Sequence, residues 1–276
     1  MFENHSSVLR RGLALALLAT LAACSSDSTS PDDPGLPPGL PPLTSMSGDF
    51  SIFGSTGSSQ APLEAEANQT SLNFGAAAVR VIAAQVATVV VLAVPVATFA
   101  AAVNNTPTYE DDDLWHWRFV TVQGGHTYTA HLSGVVQGDM VDWDMRITSP
   151  THQPPLEEFV WYDGLGRLDR TSGTWTFYDP ANPTSAIEVL RIDWTHASTT
   201  EHGWEATALS GPATGDVFTA EVDGNDHMIT YLDASEQDFM EIYWNGSDGS
   251  GYLIAPRYNG GAKACWDASQ QDVACG

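Results

Sequence analysis

Beyond residue 23 the chain carries seven histidines, His116, His126, His131, His152, His196, His202 and His227. Imidazole is the side chain best placed to hold a metal or exchange a proton near neutral pH. No two of them have the His-x-x-x-His spacing of a helical zinc site. His196 and His202 flank a polar loop. His116 and His131 fall on the polar positions of two strand-like runs, and as strand neighbours they would form a cross-strand pair able to bind a metal or respond to pH. Glu110-Asp111-Asp112-Asp113 puts four carboxylates directly before the first run. Such a run could hold a divalent cation or a basic partner, but by default it is a solvated charge cluster. Glu157 and Glu158 are adjacent, so in a strand they point to opposite faces and make a poor acid/base pair. Asp223-Gly224-Asn225-Asp226 and Asn245-Gly246-Ser247-Asp248-Gly249 contain calcium-loop residue types, yet neither has the alternating ligand register. Both read as hairpin turns. No Gly-x-Ser-x-Gly elbow occurs. The residues therefore point to no catalytic group, no cofactor and no metal, and the expectation is a protein that is not an enzyme.

Nine tryptophans remain: Trp115, Trp117, Trp143, Trp161, Trp175, Trp194, Trp204, Trp244 and Trp266. On a concave sheet face they could stack on sugars or line an apolar cavity. Trp143, Met145 and Trp194 are the residues that would line it. Alternatively the rings fill the core against small Ala and Val side chains of a helix.

The elements that would position these side chains follow from hydrophobic periodicity. Val141, Trp143, Met145 and Ile147 alternate with Asp142, Asp144 and Arg146, a half-buried strand. Trp115–Phe119 and Leu190–Trp194 alternate in the same way. Further runs cover 126–136, 159–162, 174–178, 204–209, 217–222, 228–232, 239–244 and 252–255. Gly124-Gly125, Gln137-Gly138-Asp139, Asp163-Gly164 and the two turns above separate them. Many short strands divided by turn signals predict an antiparallel meander of about ten strands, closed as an open barrel or strongly curved.

Val81 to Val103 is a run of twenty-three residues without a charge, eight of them Val and eight Ala. A helix apolar on all sides is either buried or membrane-spanning, and this length satisfies the spanning criterion. Its Ala-rich composition and Gln85, Thr88, Thr98 and Pro95 favour the buried reading. Pro95 should break or kink the helix, leaving a first piece from Leu72 to about Leu92 that lies across one sheet face. The fold class expected is α+β: an Ala/Val-rich N-terminal helix on a curved antiparallel sheet, one domain over residues 63–276. Cys265 and Cys275 are an even pair near the C-terminus and read as a disulfide in an oxidising compartment.

The N-terminus sets the address. Arg10 and Arg11 precede an apolar run from Leu13 to Leu21, followed by Ala22-Ala23-Cys24. That order is a secretory signal, and Leu21-Ala22-Ala23-Cys24 resembles a bacterial lipobox. The resemblance implies a signal peptide over 1–23, with Cys24 becoming the acylated, palmitate-bearing first residue of the mature protein. Ser25 at the next position then implies sorting to the outer membrane, periplasmic or surface-facing. Residues 24–62 read as a Pro/Gly/Ser tether. A helix on a curved antiparallel sheet behind a lipobox is also similar to the periplasmic half-barrel carriers of lipids or lipid-modified proteins. That likeness is architectural and brings no site residues with it.

The whole chain has a formal net charge of −24. Without residues 1–23, which hold Glu3, Arg10 and Arg11, it carries 8 basic and 33 acidic residues, and Lys263 is its single lysine. Such a surface repels phosphate backbones and so excludes nucleic-acid partners. The membrane would be held through acyl chains on Cys24 rather than through basic residues. The remaining partners are an apolar ligand or an envelope protein.

Overall fold

The computed structural model describes residues 35–48, 50–53 and 71–276, with the side chains of 83–91 outside that description. The signal segment, Cys24, and the expected tether at 24–34 and 54–62 lie outside the described residues. The body that contains the described residues is Gly35–Gly276.

One helix, α1 (Leu72–Val103), precedes fourteen strands: β1 (Thr108–Tyr109), β2 (Trp115–Gln123), β3 (His126–Gln137), β4 (Met140–Ser149), β5 (Leu156–Arg167), β6 (Ser172–Tyr178), β7 (Glu188–Ser198), β8 (Glu201–Ala208), β9 (Val217–Asp223), β10 (Asp226–Asp233), β11 (Asp238–Asn245), β12 (Gly251–Ile254), β13 (Ala264–Trp266) and β14 (Asp272–Val273). Every strand pairs antiparallel with its neighbour in sequence, giving a single meander that stays open between β1 and β14. The α+β class and the antiparallel meander match the sequence reading. The strand number corrects it: β1, β13 and β14 have two or three residues each, too few for a period of two to register. Asp163-Gly164 lies inside β5, paired on both sides, because the glycine makes room for Trp143 and Trp175 rather than turning the chain. The other turns fall where expected. Asp223 pairs with Asp226 around Gly224, which has φ +62°. The Asn245 N–H donates to the Ser250 carbonyl across the second turn.

Register shifts in the β4–β5, β6–β7 and β7–β8 pairs mark bulges that bend strands and curve the sheet. Inward-facing tryptophans then crowd a concave side. Their space comes from glycines on the adjacent strand rather than from the helix. Trp143 pairs with Gly134 and Gly164, Trp175 with Gly164, and Trp194 with Gly173. A Cβ at Gly134 would stand 2.7 Å from the Trp143 ring, and one at Gly173 would stand 2.7 Å from the Trp194 ring. Large residues thus pack over cross-strand gaps within the sheet itself.

Two layers cover the concave face. Helix α1 buries Ala77, Val81, Leu92, Phe99 and Ala102. Its Phe74 meets Trp266 edge-on at 5.6 Å, and its Phe99 meets Trp175 at the same distance. The helix runs through Pro95 without ending, contrary to expectation. Packing on both sides of the proline outweighs the lost backbone donor, and the Thr98 hydroxyl donates to the Pro95 carbonyl at 2.9 Å. Among the described residues no helix is long and apolar enough to cross a membrane. Ser71 precedes α1 without a capping side-chain bond. The cap comes from β14 instead: Asp272 accepts from the N–H of Asn73 at 2.9 Å and of Leu72 at 3.2 Å. The Cys265–Cys275 disulfide closes beside it.

The second layer is the stretch before α1. Residues 35–53 were expected to be tether, yet Ser45, Met46 and Phe53 are buried. Phe53 sits between Phe74 and Trp244, and the Trp175 indole donates to the Ser45 hydroxyl at 3.1 Å. Proline content sets the stiffness of such a chain, while Met46, Phe50 and Phe53 anchor it.

Candidate functional site

Strands β7–β11 carry inward-facing residues in cross-strand rows, and the rows differ in character from one end of the sheet to the other. At one end, Ala206, Phe218, Tyr231 and Met240 stand opposite one another in succession across β8–β11. Two inward positions further along, the row is His202, Val222, His227 and Trp244, with His196 opposite His202. Pairs at a strand spacing of 4.7–4.9 Å make each row a continuous strip.

The His end is closed. Thr44 Oγ1 reaches His196 Nδ1 at 3.5 Å, the His196 and His202 rings lie 5.8 Å apart, and His227 stacks on Trp244 at 4.9 Å. Burial, followed by the His196 charge, pushes His202 below the ordinary histidine range.

The Ala206–Met240 end is open. A cavity of about 780 Å³ lies there, between α1, β7–β11 and the segment following β12. Leu190, Ala206, Phe218, Met240 and Ala255 form its apolar wall. Small side chains at Ala206, Ala208, Ala213 and Ala255 leave the space that the helix does not fill. Five carboxylates, Asp179, Asp216, Asp233, Glu236 and Asp238, and two guanidinium groups, Arg80 and Arg257, complete the lining. Tyr231 donates to Asp216 at 2.5 Å. Burial, then that carboxylate, pushes the Tyr231 phenol up.

Trp143, Met145 and Trp194 line neither this cavity nor the shallower polar one beside the disulfide. They are 1, 0 and 2 % exposed, packed into the core. The indole N–H of Trp194 finds no hydrogen-bond partner among the described residues.

The convex face holds two further clusters. His116 and His131 are neighbours as the alternation implied, with Nδ1 of His116 2.6 Å from Nε2 of His131. His116 Nε2 is 2.9 Å from Asp112 Oδ1, and Arg118 pairs with Glu110 beside it. The acidic run before β2 thus supplies a partner to an imidazole that is only 3 % exposed. Among the described residues no group of three or more His, Cys, Asp or Glu side chains could hold a metal ion. Asp144 and Asp163 form the second cluster, directly opposite each other on β4 and β5. Burial raises both carboxyls, against the opposing pull of Arg146 on Asp144 and of the Tyr178 hydroxyl on Asp163. Glu157 and Glu158 lie in an irregular stretch of β5, where Glu158 has φ +46° and bonds Thr148.

No protein-family model matches the chain, and searches of curated proteins and of solved structures return no match. Any reading of its function rests on the residues above.

Proposed function

We propose that this chain is a lipid-anchored cell-envelope binding module, held at the outer membrane through acylated Cys24, that takes up a small apolar ligand without transforming it. The observation that carries this reading is the cavity of about 780 Å³ at the open end of β7–β11. Ligand sites are typically clefts of roughly 300–1,000 Å³, mostly apolar with a few convergent polar groups. This one has that size and composition. The lipobox-like Leu21-Ala22-Ala23-Cys24 supports the anchor. The ligand surface assigned here differs from Trp143, Met145 and Trp194, whose packing leaves no room for a guest.

Native mass spectrometry on the chain from residue 24 onward, carrying Cys24→Ser so that no acyl group is attached, tests the binding reading. A co-purifying or added apolar adduct is expected, lost when Ala208→Phe fills the cavity mouth. A bare mass with every added apolar ligand would overturn it and favour a scaffold whose concave face serves only as core. Labelled palmitate fed to expressing cells tests the anchor: incorporation is expected into the native chain and not into Cys24→Ala.

A further inference from the structure

The charges around the cavity are unequal, and their pairing shows which remain available. Arg257 is occupied by Glu236 and by Asp238, the latter at 3.3 Å. Arg80 donates to the Ala76 carbonyl of its own helix at 2.9 Å and lies over the Tyr258 ring, 5.4 Å from its centre. Asp179, Asp216 and Asp233 are held by neutral donors. Asp179 accepts from the N–H of Ala181 and the amide of Asn182, and Asp216 from Tyr231 and the N–H of Ala234. Asp233 accepts from Ser235 and the N–H of Glu236. None of the three forms an ion pair among the described residues. These neutral bonds orient the carboxylates; Asp179 and Asp216 have no cationic partner among the described residues, and Asp233 feels Arg257 only at a distance, in a chain already strongly acidic.

Two aromatic rings share the cavity lining with these carboxylates. Phe218 and Tyr231 are cross-strand partners on β9 and β10, and both line the cavity. Their π-faces attract cations. Beside them in the same row stand Ala206 and Met240, and with Leu190 they add aliphatic and thioether surface to the lining.

Resting on the reading of this cavity as the binding site, we propose that its ligand is a cationic amphiphile: an alkylammonium or quaternary ammonium head at Asp216 and Asp233 over Tyr231, with an aliphatic tail along Leu190, Ala206 and Met240. Among the described residues, an anionic amphiphile such as a fatty-acid carboxylate would meet one cation without an ion pair, Arg80, against three carboxylates without one, so the balance favours the cation. The open mouth leaves the charge effect sensitive to salt.

The test compares three probes with one tail, dodecyltrimethylammonium, dodecanol and dodecanoate, each below its aggregation threshold, by calorimetric titration of the Cys24→Ser chain. The ammonium probe is expected to bind about tenfold tighter than dodecanoate, between the few-fold of an exposed cation–aromatic contact and the roughly thirtyfold of a desolvated one. Raising salt should shrink that preference. Asp216→Asn should also shrink it, because asparagine keeps an acceptor for Tyr231 while removing the charge. Asp179→Asn, outside the Tyr231 network, provides a second charge removal if Asp216→Asn folds poorly. Dodecanoate binding as well as or better than the ammonium probe would overturn the cationic assignment and leave the cavity reading standing. Failure of all three probes would overturn the cavity reading itself.

Discussion

Nδ1 of His116 lies 2.6 Å from Nε2 of His131, so the two imidazoles share one proton along their contact. With Asp112 ionised, His116 donates from Nε2 to that carboxylate and accepts at Nδ1 from His131, the tautomer that satisfies both contacts.

Burial first, then the Arg118 and His116 charges, hold His131 below the usual histidine range; Glu158 and Glu110 oppose them. The unfolded chain therefore binds more protons than the folded one as pH falls through about 6.5, the unperturbed value. The stability linked to His131 is full above that pH and is lost as pH drops toward its depressed folded value. His202 shifts in the same direction. The melting temperature should fall between about pH 7 and 5, with a shallower slope in His131→Gln. Identical slopes would show that His131 does not carry the effect.

Asp144 and Asp163 predict the opposite sign. Their carboxyls are raised by burial, so the folded chain binds protons more readily than the unfolded one just above 3.8, the ordinary aspartate value. The cost of ionising them is absent in acid and grows as pH rises through the folded values. Asp163→Asn keeps an acceptor for Tyr178, whose hydroxyl bonds Asp163 at 2.7 Å. Discounted for solvent screening, its gain at neutral pH should be on the order of 2 °C in melting temperature, the shift from about 0.5–1 kcal/mol in a domain of this size. A scan at pH 3, where wild type is also protonated, should show no gain.

The glycine–tryptophan packing makes Gly134→Ala a sharp probe. A Cβ there meets only the Trp143 ring, at 2.7 Å, and Trp143 is buried with little room to move. Overpacking of this kind costs about 1–3 kcal/mol. Denaturant unfolding should show that loss with an unchanged slope. Gly138→Ala, at a position with open space but φ +67°, should cost less and act through backbone strain alone.

The disulfide and the helix cap should prove coupled. Closing the Cys265–Cys275 loop, ten residues apart, stabilises by about 2–3 kcal/mol in the chain-entropy picture. Asp272→Ala removes the acceptor from two helix N–H groups, worth about 1 kcal/mol. Because β14 holds Asp272 in place and the bridge ties β14 to β13, the double variant Cys265→Ser/Asp272→Ala should lose less than the two single losses added together. Full additivity would show that the strand holds its position without the bridge.

Much of this architecture was legible in the residues. Strands β2, β4 and β7 alternate cleanly because one face of each packs inward, and the turns follow from Asp-Gly and Asn-Gly. The adjacency of His116 and His131 was readable for the same reason, while the closing of Asp112 over His116 depends on the turn between β1 and β2. The role of residues 35–53 was hidden by their proline content. The cavity was hidden too, because it arises from small residues at the ends of strands that meet only when the sheet curves. Trp143 and Trp194 were singled out for ring size, but the glycines opposite them made those rings core.

Asp272 reaches the start of α1 from 199 residues further along the chain. In a protein delivered across a membrane from its N-terminus, neighbouring strands can pair as they emerge, since each partner is the next segment out. The helix start must wait for β14, the last strand of the sheet in chain order. Formation of β14 is therefore the event that caps α1, and a chain stopped before it would leave the N–H groups of Leu72 and Asn73 without that acceptor.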